Sequence, residues 1–371
     1  MRLLFLTGSL AYGGAERHAI TLANALAERG HECHTAWVKG DSAQLGRLRL
    51  EDAGSAFSLD AARYLDLRAT GRLAGALARH RPGAIVAANP YALMYAALAS
   101  ARAQLHIPLV VIYHSTRWPG LREQAKLLAY RLFMWAAARV VFVCEYQRRY
   151  CLRRGLGARR NAVIHNGVDV RYLRDTATPA ERRTLRAGLG YAEADYVLGV
   201  AGGLRPEKNH AQLLEAAARL RAQGHAAKVL FIGDGEERTA LENRARALGL
   251  GPHLAITGFR DDIRPFVTAC DVMCVCSFTE ALSLAAIEAM AMSRPLVHSR
   301  VGGAAELIEH GRDGLLFPVA DTAALVGCLL RLADADARLQ MGRAARDTVE
   351  RRFNERGMID RYEQLLLEVC G

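Results

Sequence analysis

No stretch of this 371-residue chain runs for about 18 residues without charge and with apolar character, so no bilayer-spanning helix is expected. The eight cysteines, Cys33, Cys144, Cys151, Cys270, Cys274, Cys276, Cys328 and Cys370, have no regular spacing. That excludes a disulfide framework and reads as free thiols in a reducing compartment. Lysine is scarce: only Lys39, Lys126, Lys208 and Lys228 accompany the arginines. Two nucleotide-binding signatures are missing as well. Gly8 and Gly13 have the spacing of a P-loop, but Gly14 and Ala15 stand where Lys and Ser/Thr are required, which excludes a P-loop ATPase. No G-x-G-x-x-G run follows a strand, which counts against a dehydrogenase.

The composition, 51% hydrophobic and 23% charged, is that of a globular protein long enough for two cores. The opening MRLLFLTGSLAYGG has an apolar run only from Leu3 to Leu6. It reads as a buried strand meeting a turn and not as an export signal, so the expected location is the cytoplasm. The net charge of +11 is divided unevenly. Residues 1–170 carry 23 Lys+Arg against 11 Asp+Glu, whereas residues 171–371 carry 26 against 27. The first half is therefore expected to face something anionic.

Short β-rich runs alternate with helical patterns along the whole chain, the pattern of parallel α/β architecture. Strands are expected near Leu3–Thr7, Cys33–Val38, Ala84–Ala88, Leu109–Tyr113, Val140–Val143 and Ala162–Ile164. A second series follows near Tyr196–Val200, Lys228–Ile232, Leu254–Thr257, Val272–Val275, Pro295–His298 and Gly314–Phe317. The restart implies two doubly wound domains, 1–168 and 169–371, joined at Asn166-Gly167-Val168-Asp169, with the last helix, about 355–371, free to pack back on the first.

Several strand ends carry chemistry. Gly13-Gly14 opens a helix, where backbone N–H groups can meet an anion, although a tight structural turn explains the pair equally well. In Ala201-Gly202-Gly203-Leu204-Arg205-Pro206-Glu207-Lys208-Asn209-His210, two cations on a strand-to-helix loop suit a diphosphate. Gly233-Asp234-Gly235 and Gly258-Phe259-Arg260 leave neighbouring strands, the latter with an aromatic ring for a flat base. In Ser277-Phe278-Thr279-Glu280-Ala281-Leu282-Ser283-Leu284, Glu280 lies in a turn, and Glu288 falls inside the apolar helix that follows. A carboxylate there needs a partner, whether a ligand or a structural salt bridge. Neither Cys270-x3-Cys274-x-Cys276 nor His31, Cys33 and His34 completes a metal-ligand set, so no metal is expected.

Taken together, Glu280-x7-Glu288, GGAERH (13–18), NGVD (166–169), LRPEKNH (204–210), FIGDG (231–235), VGGAAELI (301–308) and DGLLFP (313–318) resemble the retaining glycosyltransferases of the family-4 type, glycosyl transferases group 1. The resemblance covers nearly the whole chain. It implies a GT-B fold, two Rossmann-like domains facing a central cleft, with a nucleotide sugar bound mainly by the second domain and an acceptor by the first. It implies that Arg205 and Lys208 neutralise the diphosphate, Glu288 holds the ribose, and Glu280 sits near the donor sugar with the amides of Leu282, Ser283 and Leu284. Gly13, Gly14, Gly203, Gly233, Gly258, Phe259 and Arg260 complete the donor contacts, and His114, after strand Leu109–Tyr113, is the histidine that touches the sugar. Glu280, His114, Arg205 and Lys208 are thus the expected catalytic set. The chain departs from the family where Gly203 stands in place of an arginine, a task left to Arg205, and where Ala281 and Ser283 replace glycines.

The expected reaction is front-face transfer with anomeric retention, in which the leaving diphosphate takes the acceptor's proton; a double displacement through Glu280 is the alternative. No cofactor is implied beyond the nucleotide sugar, a UDP-sugar first and GDP-mannose next. The acceptor class is a glycan or a lipid-linked saccharide of envelope polysaccharide, lipopolysaccharide or glycolipid synthesis. The stretch Arg122–Ala138, with Lys126 and Arg131 beside Leu127, Leu128, Phe133, Met134 and Trp135, suits peripheral contact with an anionic membrane, although such a helix more often packs on its own sheet; the cluster Arg148, Arg149, Arg153, Arg154, Arg159 and Arg160 suits the same surface, an acidic glycan or plain solvation. Nucleic acid is not an expected partner, since no recognition helix or aromatic RNA platform is present. A nucleotide-sugar sensor and a GT-B epimerase or phosphorylase remain the rival readings.

Overall fold

The computed structural model describes residues 1–50, 54–114 and 121–371, the side chains of 121–125 apart. The backbone divides into two compact units, residues 1–166 with 356–371, and residues 167–355. Unit 1 runs β1 (Arg2–Thr7), α1 (Gly14–Glu28), β2 (Glu32–Trp37), β3 (Ala56–Ser58), α2 (Leu67–His80), β4 (Ala84–Ala87), α3 (Pro90–Arg102), β5 (Leu109–Tyr113), α4 (Leu121–Ala136), β6 (Arg139–Phe142), α5 (Glu145–Leu152) and β7 (Asn161–Val163). Among the described residues these strands form one parallel sheet in the order β3-β2-β1-β4-β5-β6-β7.

The central strands are nearly unbroken apolar runs because helices cover both faces of a parallel sheet. Leu3, Leu4, Phe5 and Leu6 of β1 and Val110, Val111 and Ile112 of β5 are all buried. Helix starts are fixed by polar caps. Asp66 accepts from the amides of Arg68 and Ala69 at α2, and Asn89 accepts from that of Ala92 at α3, with Pro90 in the first turn. The strand that sequence reading missed is β3. It has three residues at the sheet edge and no wholly buried side chain, so it leaves no apolar run to detect.

Unit 2 runs α6 (Pro179–Gly188), β8 (Tyr196–Ala201), α7 (His210–Ala222), β9 (Ala227–Ile232), α8 (Arg238–Ala247), β10 (Leu254–Ile256), α9 (Arg264–Ala269), β11 (Val272–Val275), α10 (Leu284–Ala291), β12 (Leu296–Ser299), α11 (Ala304–Leu307), β13 (Leu315–Phe317), α12 (Thr322–Arg331) and α13 (Ala335–Arg352). Its parallel sheet has the order β10-β9-β8-β11-β12-β13. The last helix, α14 (Glu355–Cys370), lies almost wholly in unit 1. Where the chain enters unit 2 it meets the segment that leaves it: the Val168 N–H donates to Phe353 O (3.0 Å), and the Glu355 N–H to Val168 O (2.9 Å).

In each sheet the winding reverses once, between β1 and β4 in unit 1 and between β8 and β11 in unit 2. Loops at the carboxyl ends of two such strands diverge and leave a crevice, which is where doubly wound sheets bind ligands. This brings the loops after β8 and β11 together although more than 70 residues separate them in sequence.

On α4 the apolar side chains divide between the unit 1 core and the surface. Met134 is buried, and Leu127 and Phe133 pack against the unit 1 core, whereas Leu128, Leu132 and Trp135 are 64%, 72% and 60% exposed. The Arg122 side chain lies outside the described residues.

Arg346 of α13 donates to the carbonyls of Val170 (2.6 Å), Leu173 (2.5 Å) and Ala291, tying the entry to unit 2 to the end of α10. Replacing it with methionine leaves three acceptors without that donor. Arg346→Met is expected to lower stability by about 2–3 kcal/mol, read as a fall in the urea midpoint at unchanged slope.

Candidate functional site

The site is built at the winding reversal of unit 2. After β8, Gly202 to Arg205 lead into a single 3-10 turn, Pro206–Lys208, and then α7. After β11, Cys276 to Ser283 lead into α10, whose first turn is capped by Ser283 accepting from the Ala286 N–H (3.3 Å). The two loops meet in an ion pair. Lys208 Nζ lies 2.5 Å from Glu280 Oε1, and Ser277 Oγ donates to the same oxygen at 2.8 Å. The backbone repeats the link, with the Phe278 N–H donating to Glu207 O (2.8 Å). Lys208, Glu280, Ser277, Ser283 and His210 line one small pocket over the ends of β8 and β11.

Two glycines hold these loops where they are. Gly302, after β12, has φ +54°, and a Cβ there would run into the carbonyl of Glu280; next to it the Gly303 N–H donates to Ala281 O (2.7 Å). Gly233, after β9, has φ +154°, and a Cβ there would strike the carbonyl of Gly202. A side chain at either position would separate backbones that now touch. Hydrogen bonds extend the second contact, from Gly202 N–H to Ile232 O (3.0 Å) and from Leu204 N–H to Asp234 O (2.9 Å). The VGG and GDG motifs are thus spacers that set the position of Glu280 and of the cationic loop.

The remaining expected residues of unit 2 lie on α10 and on the loops after β8 and β10. Glu288 is buried within α10, and Leu282 and Leu284 flank its cap. Arg205 is exposed and folds back so that its Nε lies 3.4 Å from where a Cβ on Gly203 would be. A Cβ at Gly203 would be in ordinary contact with the Arg205 side chain. Gly258 follows β10 in a left-handed conformation (φ +70°) beside the Asp234 carboxylate, Phe259 is exposed, and Arg260 lies over the Phe266 ring at 5.2 Å.

Three residues near the ion pair escaped sequence reading. His210 closes the LRPEKNH motif, and burial together with the Lys208 charge lowers its pKa to about 4. Its Nδ1 has no hydrogen-bond partner among the described residues. His298, on β12, is held below the usual histidine range by burial, partly offset by the Glu280 carboxylate, and its Nδ1 lies 2.6 Å from Ser299 O. Ser299 Oγ donates to Ser277 O (2.7 Å) and steadies the loop from beneath. Only His210 left a signal in the sequence, its place in the motif; His298 and Ser299 reach the site through strand pairing alone.

In unit 1, Gly13 is the residue before α1. Its φ of −162° is extended, so backbone strain does not call for glycine, but a Cβ would meet the Glu16 carboxylate. Gly14 begins the helix, and His114 follows β5 directly. Cys274 and Cys276 are buried free thiols, with Cys276 pushed up to about 12 by burial. His31 contacts Glu363 at 2.7 Å, and His34 contacts Ser55 Oγ at 2.9 Å. Among the described residues no group of three or more His, Cys, Asp or Glu is placed to hold a metal ion.

Comparison with known proteins agrees with this geometry. A family model described as "Glycosyltransferase Family 4" matches residues 12–172, and one described as "Glycosyl transferases group 1" matches residues 195–335. Between them they take in most of both units, and the chain belongs to this family of glycosyltransferases.

The lipopolysaccharide core biosynthesis glycosyltransferase LpsE of Rhizobium meliloti is 30% identical over 176 residues, 47% of this chain and 50% of LpsE. The UDP-Gal:alpha-D-GlcNAc-diphosphoundecaprenol alpha-1,3-galactosyltransferase of Escherichia coli is 26% identical over 273 residues, 71% of this chain and 70% of that enzyme. The chain spans about half the length of several other curated relatives it matches. Among solved structures, Anabaena HepE in complex with UDP-glucose superposes with a TM-score of 0.87 at 25% identity, covering 99% of this chain and all of that one. The fold is accordingly GT-B, with two Rossmann-like domains.

Gly302→Ala tests the spacer role. The methyl group would collide with the Glu280 carbonyl at a backbone angle that alanine resists, so a loss of about 1–3 kcal/mol is expected by chemical denaturation. Gly327→Ala, within α12, where a Cβ meets nothing, is expected to leave stability unchanged or slightly raised.

Proposed function

We propose that this protein is a retaining, metal-independent glycosyltransferase. It moves a sugar from a nucleoside-diphosphate donor to a hydroxyl of a glycan or lipid-linked acceptor in envelope polysaccharide or glycolipid synthesis. The observation that carries this reading is the Lys208–Glu280 pair at the winding reversal of unit 2, capped by the amino end of α10. A lysine and helix amides suit a diphosphate, and a carboxylate beside them suits sugar hydroxyls. UDP is the proposed nucleotide, supported by the similarity to HepE, and GDP the next.

In this reading Lys208 and Arg205 balance the charge that grows on the departing diphosphate, which is the largest electrostatic demand of the reaction. Before donor binds, Glu280 neutralises Lys208; when the diphosphate takes over the ammonium, the carboxylate is released to orient the sugar. Glu288 holds the ribose, and the amides of Leu282, Ser283 and Leu284 meet phosphate or sugar. Phe259 and Arg260 flank the base. Gly13 and Gly14 offer amides to phosphate, and His114 meets a sugar hydroxyl from unit 1. The acceptor hydroxyl attacks the anomeric carbon on the face from which the diphosphate leaves. Its proton passes to a phosphate oxygen, so no separate general base is required.

The test is nucleoside diphosphate release from a panel of UDP- and GDP-sugars, with and without a membrane lipid extract. Lys208→Ala is expected to lower kcat about 10²- to 10³-fold. Glu288→Ala is expected to act mainly on the donor KM, since the ribose is held alike in the ground and transition states. Tight UDP binding without turnover of any donor points to a sensor, whereas a free epimer or a sugar phosphate as product points to an epimerase or phosphorylase.

The same reading includes peripheral contact of unit 1 with an anionic membrane. Leu128, Leu132 and Trp135 project from α4, the Arg159 guanidinium lies 5.0 Å from the Trp135 ring, and Arg153, Arg154 and Arg160 are exposed on the following segment. Co-sedimentation with phosphatidylglycerol vesicles and not with phosphatidylcholine vesicles is expected. Leu132→Glu combined with Trp135→Glu is expected to abolish it.

A further inference from the structure

The chain's last helix supplies a residue to unit 1 that its own sequence neighbourhood does not explain. Helix α14 returns after the whole of unit 2, and Arg29 holds it through Asp360 (2.6 Å) and Glu363, with His31 adding a contact to Glu363. Its inner face buries Met358, Ile359, Tyr362 and Leu366. Tyr362, fully buried, sets its ring 5.4 Å from that of His18 at an interplanar angle of 69°. His18, on α1 and 4% exposed, sets its ring 4.9 Å from that of His114 at 64°. The three rings, from three distant parts of the chain, form one row of edge-to-face contacts.

The row is costly as a purely structural device. His18 Nε2, His114 Nε2 and the Tyr362 hydroxyl are all buried without a hydrogen-bond partner among the described residues. An unsatisfied buried polar group costs about 1–3 kcal/mol, and phenylalanine or leucine would fill the same space without it. Among the described residues the His114 nitrogen is thus left open to an outside partner, while His18 and Tyr362 act on it through their rings.

We propose that His18 and Tyr362 are positioning residues for His114, the row of rings fixing the plane in which the His114 imidazole meets a sugar hydroxyl. This rests on the reading of His114 as a group that touches the bound sugar. The contacts restrict rotation of His114, because a turn of its ring would drive an edge into His18, which Tyr362 backs. They also keep the ring uncharged. Burial lowers His18 to about 4 and holds His114 well below the ordinary histidine value, with His18 adding to the effect at His114. The titratable groups facing His114 in this row are His18 from α1 and, behind it, Tyr362 from α14. A neutral imidazole offers one donor and one acceptor, the pair that a hydroxyl group can complete.

The sign of the pH dependence follows. His114 works while neutral, so activity is lost as pH falls through its folded pKa, and loosening the row raises that pKa and moves the loss to higher pH.

The experiment has one arm without donor and one with it. Nitrogen-15 spectra of the imidazole side chains in the full chain are expected to show His114 neutral and in a single tautomer from about pH 7.5 to pH 5. In Tyr362→Leu and His18→Leu, His114 is expected to protonate nearer the ordinary histidine value and to populate both tautomers. Tyr362→Phe, which keeps the ring, is expected to behave as the wild type.

In the kinetic arm, Tyr362→Leu is expected to lower kcat for nucleoside diphosphate release about tenfold while the donor KM changes by less than about twofold. The acid limb of its profile moves to higher pH, and Tyr362→Phe restores the wild-type profile. Unchanged tautomer and titration of His114 in both leucine variants, with melting curves showing them folded, would overturn the proposal. If the wild type turns over no donor, the reading of His114 as a sugar contact fails with it. The spectra still decide separately whether His18 and Tyr362 set its orientation and charge.

Discussion

The Glu280 carbonyl rests against Gly302 and the Gly202 carbonyl against Gly233, and the chemistry of unit 2 depends on these two backbone contacts. Each joins loops that leave different strands of the same sheet, so the functional side chains are aimed by main chain and not by their own packing. Main chain suits this task because it has no rotamers to populate: once the strands pair, the loop positions follow. The Lys208–Glu280 ion pair is a consequence of this arrangement. Its side chains are 31% and 12% exposed, so it sets a largely enclosed cation and anion side by side at the strand ends.

Unit 1 treats its polar groups in the opposite way. Unit 2 offers charge at a strand edge, whereas unit 1 sets imidazole rings in a row that ends on the chain's last helix. Under the proposed function these two arrangements would serve two different demands of moving a sugar. The leaving group needs charge compensation, and the sugar needs oriented hydrogen bonding without a competing charge. Since Tyr362 lies at the far end of the sequence, unit 1 is not complete until unit 2 has been made.

Much of this was legible in the sequence for identifiable reasons. Parallel strands covered on both faces must be apolar runs, so β1, β5, β8 and β11 stand out, whereas β3, short and at the edge, does not. Lys208 and Glu280 were visible as polar residues at strand ends. Glu288 was visible as a carboxylate inside an apolar helix. Which residues of α4 face outward was not legible, because a helix with apolar residues on most of its surface does not declare which of them meets the sheet.

What the sequence by itself determined is what depends on neighbours along the chain: the alternation of strand and helix, the restart that makes two units, the cationic loop and the paired glutamates. What only the tertiary structure decided is what depends on strand order. The winding reversal brings β8 beside β11, so Lys208 meets Glu280, and β12 brings His298 and Ser299 beneath them. The return of α14 brings Tyr362 to His18. Helical and strand periodicities are local properties written in residue spacing. The pairing of distant strands is chosen by the burial of the whole sheet, and no short stretch of sequence carries it.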